Sequence, residues 1–444
     1  MLNETHAPHL RSWVASANDG LSDFPVQNLP YGVFRRRGSD EPWRVGVAIG
    51  TMILDVAAAH GHGVLDGEAS RAATTCASPS LNGLMSLGPS AWTALRRAVS
   101  ALLRDDTVTG QAAQALASVL LVARHEAELR LPADIAGYTD FYASVYHATN
   151  VGAMFRPDNP LLPNYKWVPI GYHGRTSSIV ISGTPIVRPA GQLGGEGGAP
   201  PVVAPTRRLD YEAELGAFVG PGNSLGTTIP IGEAPQQLFG IALLNDWSAR
   251  DIQAWEYQPL GPFLAKNFAT TLSPWVVTFE ALAPFRVPAY ARPAGDPAPL
   301  PYLLDAGDQA HGGVHITVEV WLRSARMRAA GDAPVRLSSG SARDMYWTMA
   351  QLLTHHASNG CNLQPGDLLG SGTISGPERG NRGCLLELTW RGSEPVRLPN
   401  GEERRFLEDG DEVTLRGHCT RPGYVRIGFG DCAGEVRAAS TATF

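Results

Sequence analysis

The chain has 444 residues, 43% hydrophobic and 18% charged, with a formal net charge of −6. That length exceeds one ordinary core and points to two domains, and the acidic balance, with no basic tract beyond Arg35-Arg36-Arg37, argues against a nucleic-acid partner. No apolar run approaches the ~20 residues that span a bilayer, the N-terminus lacks the features of a signal peptide, and five cysteines without a CxxC pair suit reduced thiols in a cytoplasmic protein.

With 49 Gly and 34 Pro, turns and β structure are expected in preference to long helices. Residues 31–34, 43–50 and 52–55 read as short strands split by polar turns, which predicts a small β-barrel. Segments 91–103 and 111–129 are Ala/Leu-rich with helical spacing. No chemical cluster falls within residues 1–131, a module expected to pack, orient or dimerise. Residues 131–135 read as the linker to a second module, 132–444.

Asp140 and His147 stand seven residues apart, so a helix would turn both to one side. Read alone, a histidine such as His147 is more often a satisfied core group than a catalyst. Arg156 follows, and a Pro-broken loop leads to Gly171-Tyr172-His173-Gly174-Arg175. Residues 191–201 are Gly-rich but no GK[ST] follows, which predicts a flexible loop and not a phosphate cradle.

In Leu209-Asp210-Tyr211-Glu212-Ala213-Glu214-Leu215 the acids recur with period two. On a strand, Glu212 and Glu214 share one face about 7 Å apart. Such a pair fits an exposed edge strand, or a site where a cation lies between the charges. Joined by Asp140 and Asp246, the acids become an all-oxygen set that suits Ca²⁺ or Mg²⁺ over zinc. Gly222-Asn223-Ser224-Leu225-Gly226 matches GxSxG, but Thr227-Thr228-Ile229-Pro230 does not open a helix, so it reads as a turn.

Residues 238–244 read as a buried strand that Asn245-Asp246 stops. Ser248 is expected to cap a short helix running until Pro259. Arg250, Gln253 and Tyr257 then share one face. Lys266, between Leu264 and Phe268, reads as a lysine entering the interior. A Pro-rich surface excursion, 284–313, precedes a strand at 314–322 and a helix at 342–359 capped by Gly360. His355 and His356 read as last-turn helix partners with no catalytic part. Residues 368–378 form a glycine-dense loop where backbone can approach a ligand. Residues 385–390 read as a strand whose one acid, Glu387, faces solvent or, if buried, needs a partner such as His147. Residues 411–444 read as further strands and turns.

These stretches resemble the fumarylacetoacetase family. The similarity begins at Asp23-Phe24-Pro25-Val26-Gln27-Asn28-Leu29-Pro30-Tyr31-Gly32-Val33-Phe34. It continues through 138–155, Gly171-Tyr172-His173-Gly174-Arg175, 245–268 and 371–378, and is weaker over the first dozen residues and 194–200. The resemblance implies an N-terminal SH3-like β-barrel, a C-terminal mixed β-sandwich roll and a homodimer. It also implies metal-dependent hydrolysis of a carbon–carbon bond in a small diketo acid. By resemblance Asp140, Glu212, Glu214 and Asp246 are metal ligands, with a further contribution from Lys266 and Thr270. His147 and Glu387 are the water-activating pair, and Arg250, Gln253 and Lys266 the charge-stabilising set. Tyr142, Arg156, Tyr172, Gln253, Tyr257 and Thr373 are substrate contacts.

Three other readings compete. A decarboxylase, hydratase or isomerase of short oxo-acids would share the acids but not the full N-terminal module and water-activating pair. A metal-loaded binding protein would not need every acid, base and donor. A serine hydrolase would need its elbow to open a helix.

Overall fold

The computed structural model describes residues 2–440. It is an α+β fold whose sheets carry the architecture. Near the N-terminus, strands Tyr31–Arg36, Arg44–Ile49, Met52–Asp55, Leu121–Ala123 and Ala127–Arg130 form an antiparallel sheet. Its helices include Pro89–Leu103, with Pro at its start where the missing N–H is harmless. The helix expected over 111–129 is replaced by Val108–Ala115 and Ala117–Leu120, and then by two of the strands. Leu121–Ala123 pairs with Met52–Asp55 and Ala127–Arg130 with Tyr31–Arg36, so sheet pairing overrides the local helical preference.

The larger sheet has the order Gly171–His173, Tyr138–Phe141, Leu368–Gly370, Ala213–Val219, Leu238–Asp246, Thr270–Leu272, Ile179–Ile181, with Val277–Thr278 beside Leu238–Asp246. It is mixed, since Leu368–Gly370 runs parallel to Tyr138–Phe141 and Thr270–Leu272 parallel to Ile179–Ile181. A second sheet holds Val335–Ser341, Thr317–Arg323, Glu412–Cys419, Ile427–Arg437 and Ile186–Val187.

Strand Leu238–Asp246 is buried along its whole length because both faces are covered. Ile241 and Leu243 pack in the core shared with Val318, Val320 and Leu415 of the second sheet. Phe239, Ala242 and Leu244 pack with Val33, Val47 and Leu95 of the N-terminal part. The larger sheet is therefore the middle layer.

Other expectations need revision. The helix expected over 342–359 is confined to Met349–Ala357, after a 3₁₀ turn at Ala342–Asp344. Thr348 and Gln351 form a capping box there, which fixes the later start, and Gly360 has φ +88° beyond the C-terminus. Residues 191–201 are not simply a loop: Ala190–Leu193 pairs with Val202–Pro205 in a hairpin. The 284–313 connection carries the helix Ala306–His311 and buries Leu303 and Asp308. The C-terminal strands lie at Glu412–Cys419 and Ile427–Arg437, while residues 441–444 of that tail fall outside the described residues. All five cysteines are free thiols. No helix among the described residues is long and apolar enough to cross a membrane.

Candidate active site

Strand periodicity and register assemble three of the acids, while Glu212 lies outside the expected strand, in the break between Leu209–Asp210 and Ala213–Val219. Counting by twos from Phe218 reaches Glu214, and from Leu244 reaches Asp246, so both continue the face that packs on the N-terminal part. Asp140 lies opposite Gly370 on one side and Tyr172 on the other, and Asp246 lies opposite Thr270. Asp140, Glu212, Glu214 and Asp246 are all buried and bring carboxylate oxygens within 4.8 Å of one another. A side chain at Gly370 would displace the Asp140 carboxylate, because a Cβ there would sit 2.7 Å from Asp140 Oδ1. Gly372, at φ +73°, donates its N–H to Asp140 Oδ1 at 3.2 Å and Glu214 Oε2 at 3.1 Å.

Lys266 enters the interior as expected, donating from Nζ to Asp246 Oδ2 at 2.8 Å and to Glu212 Oε2. Asp246 also accepts from Tyr172 Oη at 2.7 Å and Thr270 Oγ1 at 2.9 Å. Arg250 Nη1 lies 2.7 Å from Glu212 Oε1. Burial pushes Asp140 up to about 8, reinforced by repulsion from Asp246. Burial, with Asp140, Glu212 and Asp246 nearby, pushes Glu214 well above the carboxylate range. Burial works the same way on Glu212, yet the Lys266 and Arg250 cations outweigh it and hold this acid below its ordinary value. Lys266 stays charged although burial opposes it, because Asp246 and Glu212 face it.

The cluster is thus short of positive charge, and Glu214 Oε1 is buried without a hydrogen-bond partner. Buried charge is costly unless paired or bound to metal. An all-oxygen set with an orphaned carboxylate oxygen fits a hard divalent cation.

Asp140 and His147 do not share a helix. Asp140 is on the strand Tyr138–Phe141, and His147 is in the first turn of Val145–Phe155, whose cap Ser144 accepts the His147 N–H at 3.2 Å. Both still face one cavity of about 430 Å³. The partner of His147 is Glu387, with Nδ1 and Oε2 2.6 Å apart and both side chains buried. Glu387 is on a short helix, Leu385–Leu388, and not the expected strand. Asp210 causes the difference by accepting the Leu385 and Leu386 N–H groups at 2.8 and 2.9 Å, as an N-terminal cap does. Glu387 also accepts from Asn150 Nδ2 at 2.8 Å and Ser375 Oγ at 2.8 Å. Burial alone would raise this acid, but His147 and those hydrogen bonds bring it down to about 2.

The helix after Asp246 spans Arg250–Glu256 and is not capped by Ser248, which belongs to a two-residue strand, Ser248–Ala249, paired with Leu209–Asp210. It stops at Glu256, short of Pro259. Arg250, Gln253 and Tyr257 nonetheless line the same cavity, with Arg250 Nη1 3.1 Å from Gln253 Oε1. Tyr142, Arg156, Tyr172, Lys266 and Thr373 complete the walls named from the sequence. Tyr142 meets the His147 ring edge-on at 5.2 Å. Arg156 Nε, Arg250 Nη2 and Thr373 Oγ1, on residues that line this cavity, are buried without hydrogen-bond partners. Thr270 stands outside this cavity, behind Asp246.

Asp210, Asn150 and Ser375 escaped the sequence reading. Asp210 extends the period-two acid series by one step, and Asn150 lies three residues after His147 on one helix. Ser375 offered no signal beyond its glycine-dense surroundings. His355 and His356 bind Tyr302 and Thr139, away from the cavity. Ser224 is exposed in a turn with no helix after it, so Ser224→Ala is expected to leave any hydrolytic turnover within about twofold of the parent, as initial rates would show.

Residues 27–132 match the family model described as Fumarylacetoacetase N-terminal, and residues 137–437 match Fumarylacetoacetate (FAA) hydrolase C-terminal. The chain is 50% identical over 436 residues to the fumarylacetoacetase of Bos taurus, with 96% of this chain and 99% of that one aligned. Against the fumarylacetoacetase of Homo sapiens the identity is also 50% over 436 residues, with 96% and 99% aligned. Among solved structures, the fumarylacetoacetate hydrolase of psychrophilic Exiguobacterium antarcticum matches with a TM-score of 0.49 at 18% identity, covering 92% of this chain and 99% of that one.

Proposed function

The chain belongs to the fumarylacetoacetate hydrolase family, and on that premise we propose that it hydrolyses 4-fumarylacetoacetate to fumarate and acetoacetate, the last step of phenylalanine and tyrosine breakdown. The observation that carries this reading is the meeting of a buried four-acid cluster and a His147–Glu387 pair at one cavity.

Asp140, Glu212, Glu214 and Asp246 would hold Ca²⁺ or Mg²⁺, with Lys266 and Thr270 setting Asp246. A cation held there would supply Lewis acidity to the substrate carbonyl. Glu387, kept ionised by its donors, holds His147 through Nδ1 and leaves Nε2 as the base. Nε2 takes one proton from water while the water oxygen bonds to the carbonyl carbon on the fumaroyl side. Arg250, Gln253 and Lys266 meet the oxyanion that forms. The oxyanion then re-forms the carbonyl as the carbon–carbon bond breaks, with the bond's electron pair passing to the acetoacetate carbon, which takes up the proton that Nε2 of His147 had accepted. Arg156 and Tyr257, with Tyr142, Tyr172 and Thr373, orient the substrate along the cavity wall.

Product analysis tests the reaction. Fumarate and acetoacetate in equal amounts support it, whereas carbon dioxide or an isomerised acid would place the protein among the related oxo-acid enzymes. We further read residues 1–131 as a seating module and 132–444 as the catalytic module of a cytoplasmic homodimer, for which sedimentation at about twice the chain mass is the expected outcome.

A further inference from the structure

We propose that Asp210 is a positioning residue, locking Arg250 to the turn that carries Glu387 so that Nη2 of Arg250 is the donor left for the reacting oxygen. This rests on the hydrolytic reading above.

Asp210 is fully buried on the short strand Leu209–Asp210, and both of its oxygens are saturated. Oδ1 accepts the N–H groups of Tyr211 at 2.9 Å and Leu385 at 2.8 Å. Oδ2 accepts the N–H of Leu386 at 2.9 Å and Nε of Arg250 at 2.9 Å. Leu385 and Leu386 lead directly into Glu387. One carboxylate therefore ties the acid of the water-activating pair to the cation of the charge-stabilising set. The strand itself does not need that carboxylate, because Asp210 pairs with Ser248 through its backbone.

The guanidinium nitrogens divide cleanly. Nε is held by Asp210, Nη1 by Glu212 and Gln253, and Nη2 is buried with no partner. A guanidinium is planar, so fixing Nε and Nη1 fixes the direction of Nη2. Without the charge of Asp210, Glu212 would remain as the one acid bonded to Arg250, and the guanidinium would turn toward it.

Asp210→Asn keeps the shape and removes the charge. Its kcat is expected to fall about a hundredfold, as when one oxyanion donor is lost, while KM changes by less than about threefold. In an Arg250→Ala background the same change should cost clearly less than in the parent, the remainder coming from the Asp210 bonds to Leu385 and Leu386. Losses that multiply, or an Asp210→Asn kcat within about twofold of the parent, would overturn the inference.

A second measurement leaves Asp210 intact. Guanidinium at millimolar concentration should restore part of the turnover of Arg250→Ala, and tetramethylammonium, which has no N–H donor, should not. Guanidinium should also raise the Tm of Arg250→Ala while leaving or lowering that of the parent, a readout independent of turnover. The absence of both rescue and a Tm rise would sink the clamp. A parent without hydrolysis would instead defeat the functional reading, and the inference with it.

Discussion

His147→Ala is expected to lower kcat for 4-fumarylacetoacetate by about a thousandfold or more, within the range assigned to a positioned general base. Among the described residues His147 is the one imidazole on the cavity wall, and its Nδ1 is committed to Glu387 at 2.6 Å. Lys266 and Arg250 on the same wall are held in their charged forms by the acids around them, and the wall carboxylates Asp140 and Glu212 are engaged in the acid cluster. The same variant should keep its bound cation, because the four carboxylates and their donors do not include His147. Metal content per chain and initial rates on one preparation separate the two effects. Turnover equal to the parent would remove His147 from the mechanism, and loss of metal would show that the pair and the acid cluster are not independent.

Glu212→Gln should give the converse pattern at the cation site. Glu212 joins the acid cluster while it binds Lys266 Nζ through one oxygen and Arg250 Nη1 through the other. The amide presents an NH₂ group to one of those cations and removes a charge from the cage. Divalent-cation affinity is expected to fall about a hundredfold, about 2.7 kcal/mol. Stability of the metal-free protein should also drop, because two buried cations lose a counter-charge. Calorimetric titration with Ca²⁺ and with Mg²⁺, beside thermal unfolding without metal, reads both terms. An unchanged dissociation constant would mean that Glu212 serves the cations alone and is not a ligand.

The acids were legible in the sequence because strand periodicity is local. Glu214 alternates with apolar residues on its strand, and Asp246 closes a run that is buried throughout, while Glu212, two residues before Glu214, joins them from the break ahead of that strand. Lys266 between Leu264 and Phe268 carried a similar signal. What local pattern could not supply was the effect of distant partners. Residues 385–388 have the composition of a strand, but the Asp210 carboxylate, far off in the chain, turns them into a helix and so buries Glu387. Leu121–Ala123 and Ala127–Arg130 have helical spacing, yet the open edges of the N-terminal sheet recruit them. Asn150 and Ser375 became meaningful only once Glu387 lay between them. The link between His147 and Glu387, 240 residues apart, rested in the sequence on a buried acid's need for a partner and on resemblance, and stands in the fold on a hydrogen bond.

The most direct test of a cation-dependent hydrolase built on His147 and Glu387 is the ultraviolet decay of 4-fumarylacetoacetate, followed before chelation, after chelation and after return of Ca²⁺ or Mg²⁺. Decay that stops with chelator and resumes with either ion, giving fumarate and acetoacetate in equal amounts, is the predicted result. Decay that continues at full rate in verified metal-free protein would contradict it.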